Sequence, residues 1–295
     1  MPSYNYAPYL PFAIKGVLSQ SYSNLELIIV DDCSTDGSRE IVNEWKRLDD
    51  RIVTVYHDSN YGLSVARNSG IAVSSGEFIA LCDSDDIWSP EKLQMQIERF
   101  RLKPELGLVH SDAAIIGSDG KLTGQRFSSL IHRNGQITSG NLFGELCQRN
   151  FLCVPTVILR REAIEYAGGF DNRLRSLEDW VCWTKVSIRY PFLYIDDALV
   201  QYRIHGASLS NDSKNMAESR VKALRIILES ISEIPAITKS KMMYSLGMSF
   251  LEIADPASAA DSFLQSIKEN PGEIRSWVRY GQSALKLGRS RLLKT

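Results

Sequence analysis

The sequence predicts an α/β fold with a mostly parallel, doubly wound sheet, followed by an all-helical C-terminal extension. Strand patterns alternate with helical patterns over residues 9–100, an order typical of parallel sheets. Two of these strands end in clustered aspartates. Residues 216–294 have a helical pattern interrupted by prolines, without a convincing strand. A chain of 295 residues is long enough for one large and one small domain, and we place them at 1–213 and 214–295.

The N-terminal half contains a regular succession of elements. We predict a helix over 9–18, a strand over 25–30, a helix that ends at Trp45, a strand over 51–56 and a helix that begins at Gly62. In the first helix, Leu10, Ile14, Val17 and Leu18 follow the spacing of a core-facing stripe. Ser34 and Asp36 offer cap groups for the second helix.

The chain is organised around residues 78–88, where five residues typical of a buried strand are followed by Asp83, Asp85 and Asp86. A ligand in an open α/β sheet lies beyond the carboxyl ends of the strands. Clustered carboxylates raise one another's pKa unless a cation lies between them, so a divalent ion is the simplest counter-charge. The alternative is a solvated aspartate turn before the helix that starts at Ser89.

The following residues predict further strands and helices. The expected elements are strands over 106–111 and 154–159, a hairpin turn over 118–121, a mobile loop over 127–140 on the acceptor side, a helix over 161–167 that ends at Gly168, and a helix that begins near Glu178. We expect His110 to be packed or hydrogen-bonded in the core. Trp180 and Trp183 lie at i and i+3 on one helix face, which favours the core, with a sugar platform as the alternative.

Eight motifs occur in a fixed order along residues 1–210. They are Tyr4-Asn5, Leu18-Ser19-Gln20-Ser21-Tyr22, residues 26–32 with Ser34 and Asp36-Gly37, Gly62 with Ala66-Arg67-Asn68, Asp83-Ser84-Asp85-Asp86, Gly168-Gly169-Phe170-Asp171, Glu178-Asp179-Trp180 and Tyr202-Arg203-x-His205. Together they resemble the family 2 glycosyltransferases of the GT-A fold. The resemblance implies a Rossmann-like domain, a nucleotide-sugar donor such as a UDP-sugar, a divalent metal (Mn²⁺ or Mg²⁺) and inversion at the anomeric carbon.

The resemblance assigns positions that bind the donor. Pro2 and Tyr4 belong to a Pro-x-Tyr-Asn motif at the nucleotide, in which Tyr4 stacks on the base. Asp32 matches the residue that accepts a hydrogen bond from a uracil ring. Asp83 resembles the acid that contacts ribose or metal, and Asp85 the acid that binds the ion bridging the diphosphate. A turn tyrosine and a helix-capping aspartate are the alternatives for Tyr4 and Asp32.

The resemblance also assigns residues nearer the reaction. Asp179 matches the general base that acts on the acceptor hydroxyl, and Glu178 is the next candidate. Their alternative role is to complement the dipole at the start of a helix. His205 matches a metal or diphosphate contact, or else it is a satisfied loop histidine. Arg67 adds positive charge beside the donor or forms a structural salt bridge, and Asp86 supports the metal ligands.

A gap is expected at the N-terminal strand. Relatives open with an apolar central strand that runs into Pro-x-Tyr-Asn, whereas residues 1–5 supply only the end of it. We therefore expect the fold to lack part of its first strand and to leave an apolar slot between the strands that end at Asp32 and Asp83. An upstream start site would restore that strand.

The C-terminal residues resemble tetratricopeptide repeats. The matching residues are Met243, Leu246-Gly247, Phe250, Ala259, Phe263 and Pro271, and after 34 residues the first half of the pattern returns in Trp277, Tyr280-Gly281 and Ala284. Paired antiparallel helices would bury Phe250, Ala259, Phe263 and Trp277. One and a half repeats are too few for a free solenoid, so we expect the tail to pack on the catalytic domain or on a partner.

Charge is divided unevenly along the chain. Residues 1–213 have 21 Lys and Arg against 27 Asp and Glu, a net charge of −6, and residues 214–295 have 13 against 8, a net charge of +5. An acidic front argues against nucleic acid as a partner and suits a metal site. The basic tail favours a peripheral membrane or protein partner, and a solvated helix face is the alternative.

The cysteines and the apolar runs bear on the compartment. The five cysteines are odd in number and contain no Cys-x-x-Cys pair, which favours a reducing compartment. No apolar run approaches the roughly 20 residues of a membrane span. We expect a cytoplasmic location, with any contact to the inner face of the membrane being peripheral.

These observations favour a metal-dependent, inverting glycosyltransferase that uses a glycan, lipid-linked or protein acceptor in polysaccharide assembly. One alternative is a sugar nucleotidyltransferase, although its Gly-rich basic phosphate loop is missing near the first strand. Another is a non-catalytic, repeat-mediated scaffold derived from a truncated glycosyltransferase. Donor hydrolysis with and without manganese distinguishes a transferase from a scaffold.

Overall fold

A computed structural model describes residues 1–131, 139–206 and 213–292, and its strands form two sheets. The first sheet is parallel, in the order β1-β2-β3. Its strands are β1 (Pro2–Ser3), β2 (Leu27–Asp31) and β3 (Ile52–Tyr56). Every residue of β2 is buried, as expected for a parallel strand that is covered on both faces.

Four helices flank the sheets in the N-terminal half. They are α1 (Leu10–Leu18), α2 (Ser38–Leu48), α3 (Leu63–Val73) and α4 (Lys92–Leu102). Leu10, Ile14 and Val17 of α1 are buried, which confirms the predicted core-facing stripe. Gly37 precedes α2 with a φ of +90°, a conformation that glycine adopts without a steric cost.

The second sheet is mixed, in the order β4-β8-β6-β9-β5 with β7 paired to β6. Its strands are β4 (Phe78–Ala80), β5 (Ile87–Trp88), β6 (Leu108–Ile116), β7 (Leu122–Arg126), β8 (Ile158–Arg160) and β9 (Phe192–Arg203). Within it β6 and β9 are parallel and the other described pairs are antiparallel. The α/β class is confirmed, but the predicted mostly parallel arrangement applies to the first sheet. Because a tight hairpin at Gly117–Lys121 connects β6 to β7, β7 has to run antiparallel to β6.

The described residues between α4 and the tail contain four short helices: α5 (Phe127–Ile131), α6 (Phe143–Leu146), α7 (Arg161–Ala167) and α8 (Glu178–Val186). The predicted loop over 127–140 is therefore wrong at its start, where α5 lies, and residues 132–138 lie outside the described part. The predicted strand over 154–159 is also wrong in part. Val154–Thr156 is a 3₁₀ turn, because Pro155 has no N–H for a strand, and β8 begins at Ile158.

An apolar slot separates the two sheets. β1 pairs with β2 only at Pro2↔Val30 and Ser3↔Asp31, so the slot-side edge of β2 before Val30 faces no described strand. A cavity of about 640 Å³ lies there, lined on one side by Leu27 and Ile28 and on the other by Phe78 and Ile79. The expected shortened first strand and its slot are thus present in the fold.

As far as it is described, over residues 213–292, the tail contains four helices: α9 (Ser213–Ser230), α10 (Ala236–Glu252), α11 (Pro256–Glu269) and α12 (Ile274–Leu292). One apolar core runs from α8 into the tail and includes Trp180, Trp183, Ile227 and Phe250. The tail therefore packs on the α/β part of the chain, which is one of the two outcomes expected from its short repeat pattern. No helix in the described part of the chain combines the length and apolarity needed to cross a bilayer.

Three of the four residues expected between the tail helices are buried there. Phe250, Ala259 and Phe263 are at most 5% exposed. The prediction is wrong for Trp277, which is 52% exposed and donates its indole N–H to the carbonyl of Pro271 at 3.0 Å. Ser276 of the same helix is buried instead, so α12 is rotated relative to the predicted packing.

Candidate active site

Arg67 of α3 joins the loop after β4 to the start of α8. Its guanidinium donates to Asp83 Oδ1 at 2.8 Å and forms a short ion pair with Glu178. The Arg67 side chain is 3% exposed. Although burial disfavours the cation, the carboxylates of Asp83 and Glu178 raise the pKa of Arg67. A permanent positive charge therefore holds the two acidic motifs together.

The first two residues of α8 are the acids Glu178 and Asp179. Leu177 precedes them with a φ of +64°, a left-handed conformation that is uncommon for a leucine. Asp179 is 6% exposed, and its Oδ2 accepts a hydrogen bond of 2.6 Å from the Asn150 amide. Burial raises the pKa of Asp179, while Arg67 and Asn150 lower it. Burial also raises the pKa of Glu178 to about 7, so both acids have the increased proton affinity that suits a base.

Asp85 and His205 form a second pair at the same loop. Asp85 Oδ2 lies 3.0 Å from His205 Nε2. The rings of Tyr9 and Tyr6 lie 5.1 Å and 5.8 Å from the imidazole, measured between centroids. Burial and the charge of Asp83 raise the pKa of Asp85, and His205 lowers it. The pair thus occupies a largely desolvated position lined by two tyrosines.

Arg203, at the end of β9, fixes the backbone of the aspartate loop. Its Nε donates to the carbonyl of Asp85 at 2.8 Å, and its backbone N–H donates to Asp86 Oδ1 at 2.8 Å. The guanidinium also reaches the carbonyl of Gly117 at 3.1 Å and lies over the ring of Tyr9. Because Asp86 and Arg203 hold the loop from within, Asp85 can point toward His205.

A divalent cation would find one carboxylate and one imidazole at the Asp85–His205 pair. The residues that the structure describes contain no group of three or more metal-ligating acids, histidines or cysteines. Mg²⁺ and similar ions are commonly held by one or two protein ligands, with substrate phosphates and water completing the coordination. The donor set therefore fits an ion that binds together with a diphosphate. Asp83, which Arg67 neutralises, remains a predicted third contact.

The loop of Tyr4 and Asn5 is tied to the loop after β2. Asn5 has a φ of +57° and accepts the backbone N–H of Thr35 through its side-chain oxygen at 2.8 Å. Its own N–H donates to Ser34 Oγ at 3.0 Å. Tyr4 is 43% exposed at this rim, and Pro2 lies in β1. An exposed ring on a restrained loop is suited to stacking on a base.

The two acids at the end of β2 have different functions in the fold. Asp31 is fully buried and pairs with Arg39 at 2.5 Å. Asp32 Oδ1 lies 2.7 Å from His57 Nδ1, and its Oδ2 accepts the backbone N–H of Gly62 at 2.7 Å. Asp32 therefore anchors the loop before α3, and a uracil ring would have to share these oxygens.

The contacts bring some of the predicted site residues together and leave others apart. Arg67, Asp83, Glu178 and Asp179 form one buried cluster, and Asp85 and His205 form an adjacent pair. Tyr4 and Asp32 lie on the separate rim formed by the loops after β1 and β2. Sequence reasoning assigned no role to Asn150, Arg203, Tyr6 or Tyr9. Arg203 could have been recognised from its place in the Tyr202-Arg203-x-His205 motif, whereas Asn150 has no local signal.

Sequence comparison places this chain in a known family. The family model described as "Glycosyl transferase family 2" matches residues 1–167 of the 295-residue chain. The putative teichuronic acid biosynthesis glycosyltransferase TuaG of Bacillus subtilis is 30% identical over 219 residues, which are 74% of this chain and 82% of TuaG. The chain spans smaller parts, 64% and 28%, of two uncharacterized glycosyltransferases from Nostoc and Rickettsia bellii.

Solved structures share the fold at low sequence identity. The structure of S. aureus TarS 1–349 in complex with UDP has a TM-score of 0.66 and 15% identity, and covers 100% of this chain and 90% of TarS 1–349. The mannosyltransferase PcManGT from Pyrobaculum calidifontis, in complex with GDP-Man and Mn²⁺, has a TM-score of 0.62 and 18% identity, and covers 97% and 79%. With the family model matching more than half of its residues, the chain belongs to glycosyltransferase family 2 and is a glycosyltransferase of the GT-A fold.

Proposed function

We propose that this glycosyltransferase moves a sugar from a UDP-sugar to a glycan or lipid-linked acceptor with inversion at the anomeric carbon, using Mn²⁺ or Mg²⁺. The observation that carries the proposal is the bridge made by Arg67, which contacts Asp83 at 2.8 Å and pairs with Glu178 next to Asp179. The bridge supports the proposal because Asp83, which we assign to the donor, and Asp179, which we assign to the acceptor, then lie beside the same buried guanidinium.

Proton removal is assigned to Asp179. The acceptor hydroxyl attacks the anomeric carbon from the side opposite the diphosphate, a new C–O bond forms, and the bond to the diphosphate oxygen breaks. The hydroxyl proton passes to a carboxylate oxygen of Asp179, which burial makes more basic. Asn150 donates to Oδ2 and so orients the carboxylate. The carboxylate also accepts a hydrogen bond from the backbone N–H of Trp180, and the proton goes to a lone pair that neither donor occupies.

Donor binding is assigned to the rim and to the Asp85–His205 pair. Tyr4 stacks on the base, Asp32 accepts from the uracil ring, and Pro2 fixes the start of the Tyr4 loop. Asp85 and His205 hold the divalent ion, with Asp83 beside them. Such an ion offsets the negative charge of the departing diphosphate without a proton transfer. Arg67 supplies fixed positive charge at the same end of the cleft.

We infer the kind of acceptor and the biosynthetic process from the relatives. TuaG is named for teichuronic acid biosynthesis, TarS binds UDP, and PcManGT binds GDP-Man with Mn²⁺. We place this chain in polysaccharide assembly in the cytoplasm, with a peripheral membrane or protein contact through its basic tail. We infer UDP rather than GDP from the family resemblance, which assigns Asp32 to a uracil N–H. That N–H would share carboxylate oxygens that already contact His57 and the backbone N–H of Gly62.

A screen of nucleotide-sugars for nucleoside diphosphate release, with manganese, with magnesium and with a chelator, tests the proposal. We expect one UDP-sugar to be hydrolysed slowly in the presence of metal and to be transferred faster when an acceptor is added. Asp85→Ala should lose metal-dependent donor binding, measured by calorimetry. Asp261→Ala replaces an exposed acid of α11 and should bind the donor like the parent chain.

Two results would overturn the assignment. Release of no nucleoside diphosphate from any donor, by a chain that is folded by circular dichroism, would indicate a non-catalytic scaffold. Equal donor binding with and without a chelator would show that donor binding does not require the metal. In that case the Asp85–His205 pair would have a structural function.

A further inference from the structure

Helix α12 packs on the tail through small polar residues. Ser276 and Ser283 are fully buried, and Ser276 Oγ lies 2.7 Å from Ser266 Oγ of α11. Ser266 in turn donates to the carbonyl of Ser240 in α10 at 2.7 Å. The described inner face of this helix therefore combines buried serines, one of which is hydrogen-bonded to α11, with the partly buried ring of Tyr280 that packs on the apolar core.

Four large apolar residues among the described side chains of α12 point outward. Ile274, Trp277, Val278 and Leu285 are between 52% and 73% exposed, and we call these four residues the outer stripe. Their spacing of i, i+3, i+4 and i+11 keeps them on one side of a helix with 3.6 residues per turn. The fold gains little from them, because an apolar side chain stabilises a protein only when it leaves water.

Positive charge accompanies the outer stripe. The sequence of α12 contains five Lys and Arg residues and no Asp or Glu. In helical projection Arg275, Arg279 and Lys286 fall on one side of the helix, between the outer stripe and the buried serines. Arg275 also pairs with Glu273 just before the helix. Exposed apolar residues flanked by cations are the pattern of helices that lie in a membrane interface.

We propose that the outer stripe of α12 docks the protein on an anionic lipid surface, with α12 lying parallel to the surface. The aliphatic side chains and the Trp277 ring would enter the headgroup region, and the basic residues would contact lipid phosphates. A second copy of the chain fits less well. A symmetric contact through α12 would place the same basic residues against one another, and like charges across an interface disfavour association.

Flotation of the full chain with vesicles tests this surface. We expect binding to vesicles of equal parts phosphatidylglycerol and phosphatidylcholine, weakened by added salt, and little binding to phosphatidylcholine alone. Arg279→Glu with Lys286→Glu should lower the partition coefficient at least about 30-fold, since each basic residue near an anionic surface contributes roughly fivefold. Val278→Gln with Leu285→Gln should lower it about tenfold or more, because less apolar area enters the interface.

Matched controls lie at the end of α4, where Arg101, Leu102 and Lys103 are exposed. Arg101→Glu with Lys103→Glu makes the same change in net charge, and Leu102→Gln removes an equally exposed leucine. Both controls should bind vesicles like the parent chain. The proposal fails if the parent chain does not bind anionic vesicles or if the α12 variants bind as well as the controls. It also fails if light scattering shows that the parent chain is a dimer and the Val278→Gln, Leu285→Gln variant is a monomer, because the outer stripe would then be a dimer interface.

Discussion

The catalytic half, by which we mean the described residues up to 206, and the helical tail over residues 213–292 bury different kinds of groups. In the catalytic half Arg67, Glu178 and Asp179 are each less than 7% exposed, and they lie against one another. The tail buries Phe250 and Phe263 together with serines that bond to each other. Buried charges are costly even when paired, whereas buried apolar groups stabilise a fold directly.

This difference separates function from stability along the chain. Charges that a fold does not need are retained where chemistry requires them. Substitutions in the buried cluster that keep the size and hydrogen bonds of a side chain should therefore change sugar transfer more than the free energy of unfolding, whereas removing one partner of the Arg67–Glu178 pair would also destabilise the fold. Substitutions between the tail helices should change the free energy of unfolding and leave the chemistry of the site unaltered while the chain is folded.

The largest effect is expected from Asp179→Asn. The substitution keeps the size of the side chain and removes the basic oxygen, so transfer should fall by about 10²-fold or more. Donor and metal affinity should persist, because Asp85 and His205 are unchanged. Steady-state rates and calorimetric donor binding measure the two quantities. Transfer at the parent rate would show that the base is another residue, and Glu178, with its pKa raised to about 7, would be next.

Phe263→Ala tests the tail. Phe263 is fully buried between α10 and α11, with its ring 5.8 Å from that of Tyr244. Its truncation should lower the free energy of unfolding by roughly 3 kcal/mol or more, as for phenylalanines in other cores. Urea denaturation followed by circular dichroism measures the change. Ile237→Ala, at a position of α10 that is 61% exposed, should have a much smaller effect. Equal losses would mean that Phe263 contributes no more than a surface residue.

Gly247→Ala tests the closeness of the same helices. A Cβ at this position would lie 2.6 Å from Cε1 of Phe263, so the ring would have to move. We expect a loss of about 1–3 kcal/mol in the free energy of unfolding. Gly281 of α12 has no heavy atom within 4 Å of the equivalent position. Gly281→Ala should therefore stabilise the chain by up to about 1 kcal/mol through helix propensity. The same sign for both variants would contradict the packing.

Much of the fold follows from local patterns. The alternating runs predicted β2, β3 and β4 and helices α1 to α4 within a few residues. The direction of the strands in the second sheet could not be predicted in this way. β6 pairs with β9, in the register Leu108↔Phe192, and such a choice between distant neighbours leaves no periodic signal. The predicted strand over 154–159 overlooked that Pro155 has no backbone N–H to donate to a neighbouring strand. The rotation of α12 could not be predicted either, because it depends on the contact of Ser276 with Ser266 of α11.

The sequence alone named the acids of the candidate site together with Arg67 and His205, but not which side chains would meet. Asp83, Asp85 and Asp179 stand in short motifs at the ends of elements, where sequence alone draws attention to them. Asn150 is 29 positions from Asp179 and lies in an irregular segment. The bridge made by Arg67 spans 111 positions to Glu178. Hydrogen bonds over such separations are set by the tertiary fold, so only coordinates identify them.

Lys92 sharpens the comparison, because it is a buried charge in the catalytic half that the proposed reaction does not use. It is fully buried, its Nζ lies 4.1 Å from the centre of the Trp88 ring, and no described residue accepts a hydrogen bond from it. Burial lowers the pKa of Lys92 from 10.5 to about 7. Above pH 7 the folded chain therefore binds fewer protons at this site than the unfolded chain does.

Lys92 should therefore make the free energy of unfolding depend on pH. Since the unfolded state holds the extra proton, the contribution of Lys92 to the free energy of unfolding should rise with pH, by at most about 1.4 kcal/mol per unit. The rise should begin near pH 7, where Lys92 titrates in the fold. The buried thiols of Cys82 and Cys153, whose pKa burial raises, oppose this rise at higher pH.

The measurement is therefore the difference in the free energy of unfolding between the parent chain and Lys92→Met, from urea denaturation between about pH 6 and pH 8.5. Lys92→Met should be the more stable chain at the acidic end, with the gap narrowing as pH rises. A gap that does not depend on pH would show that Lys92 stays charged in the fold.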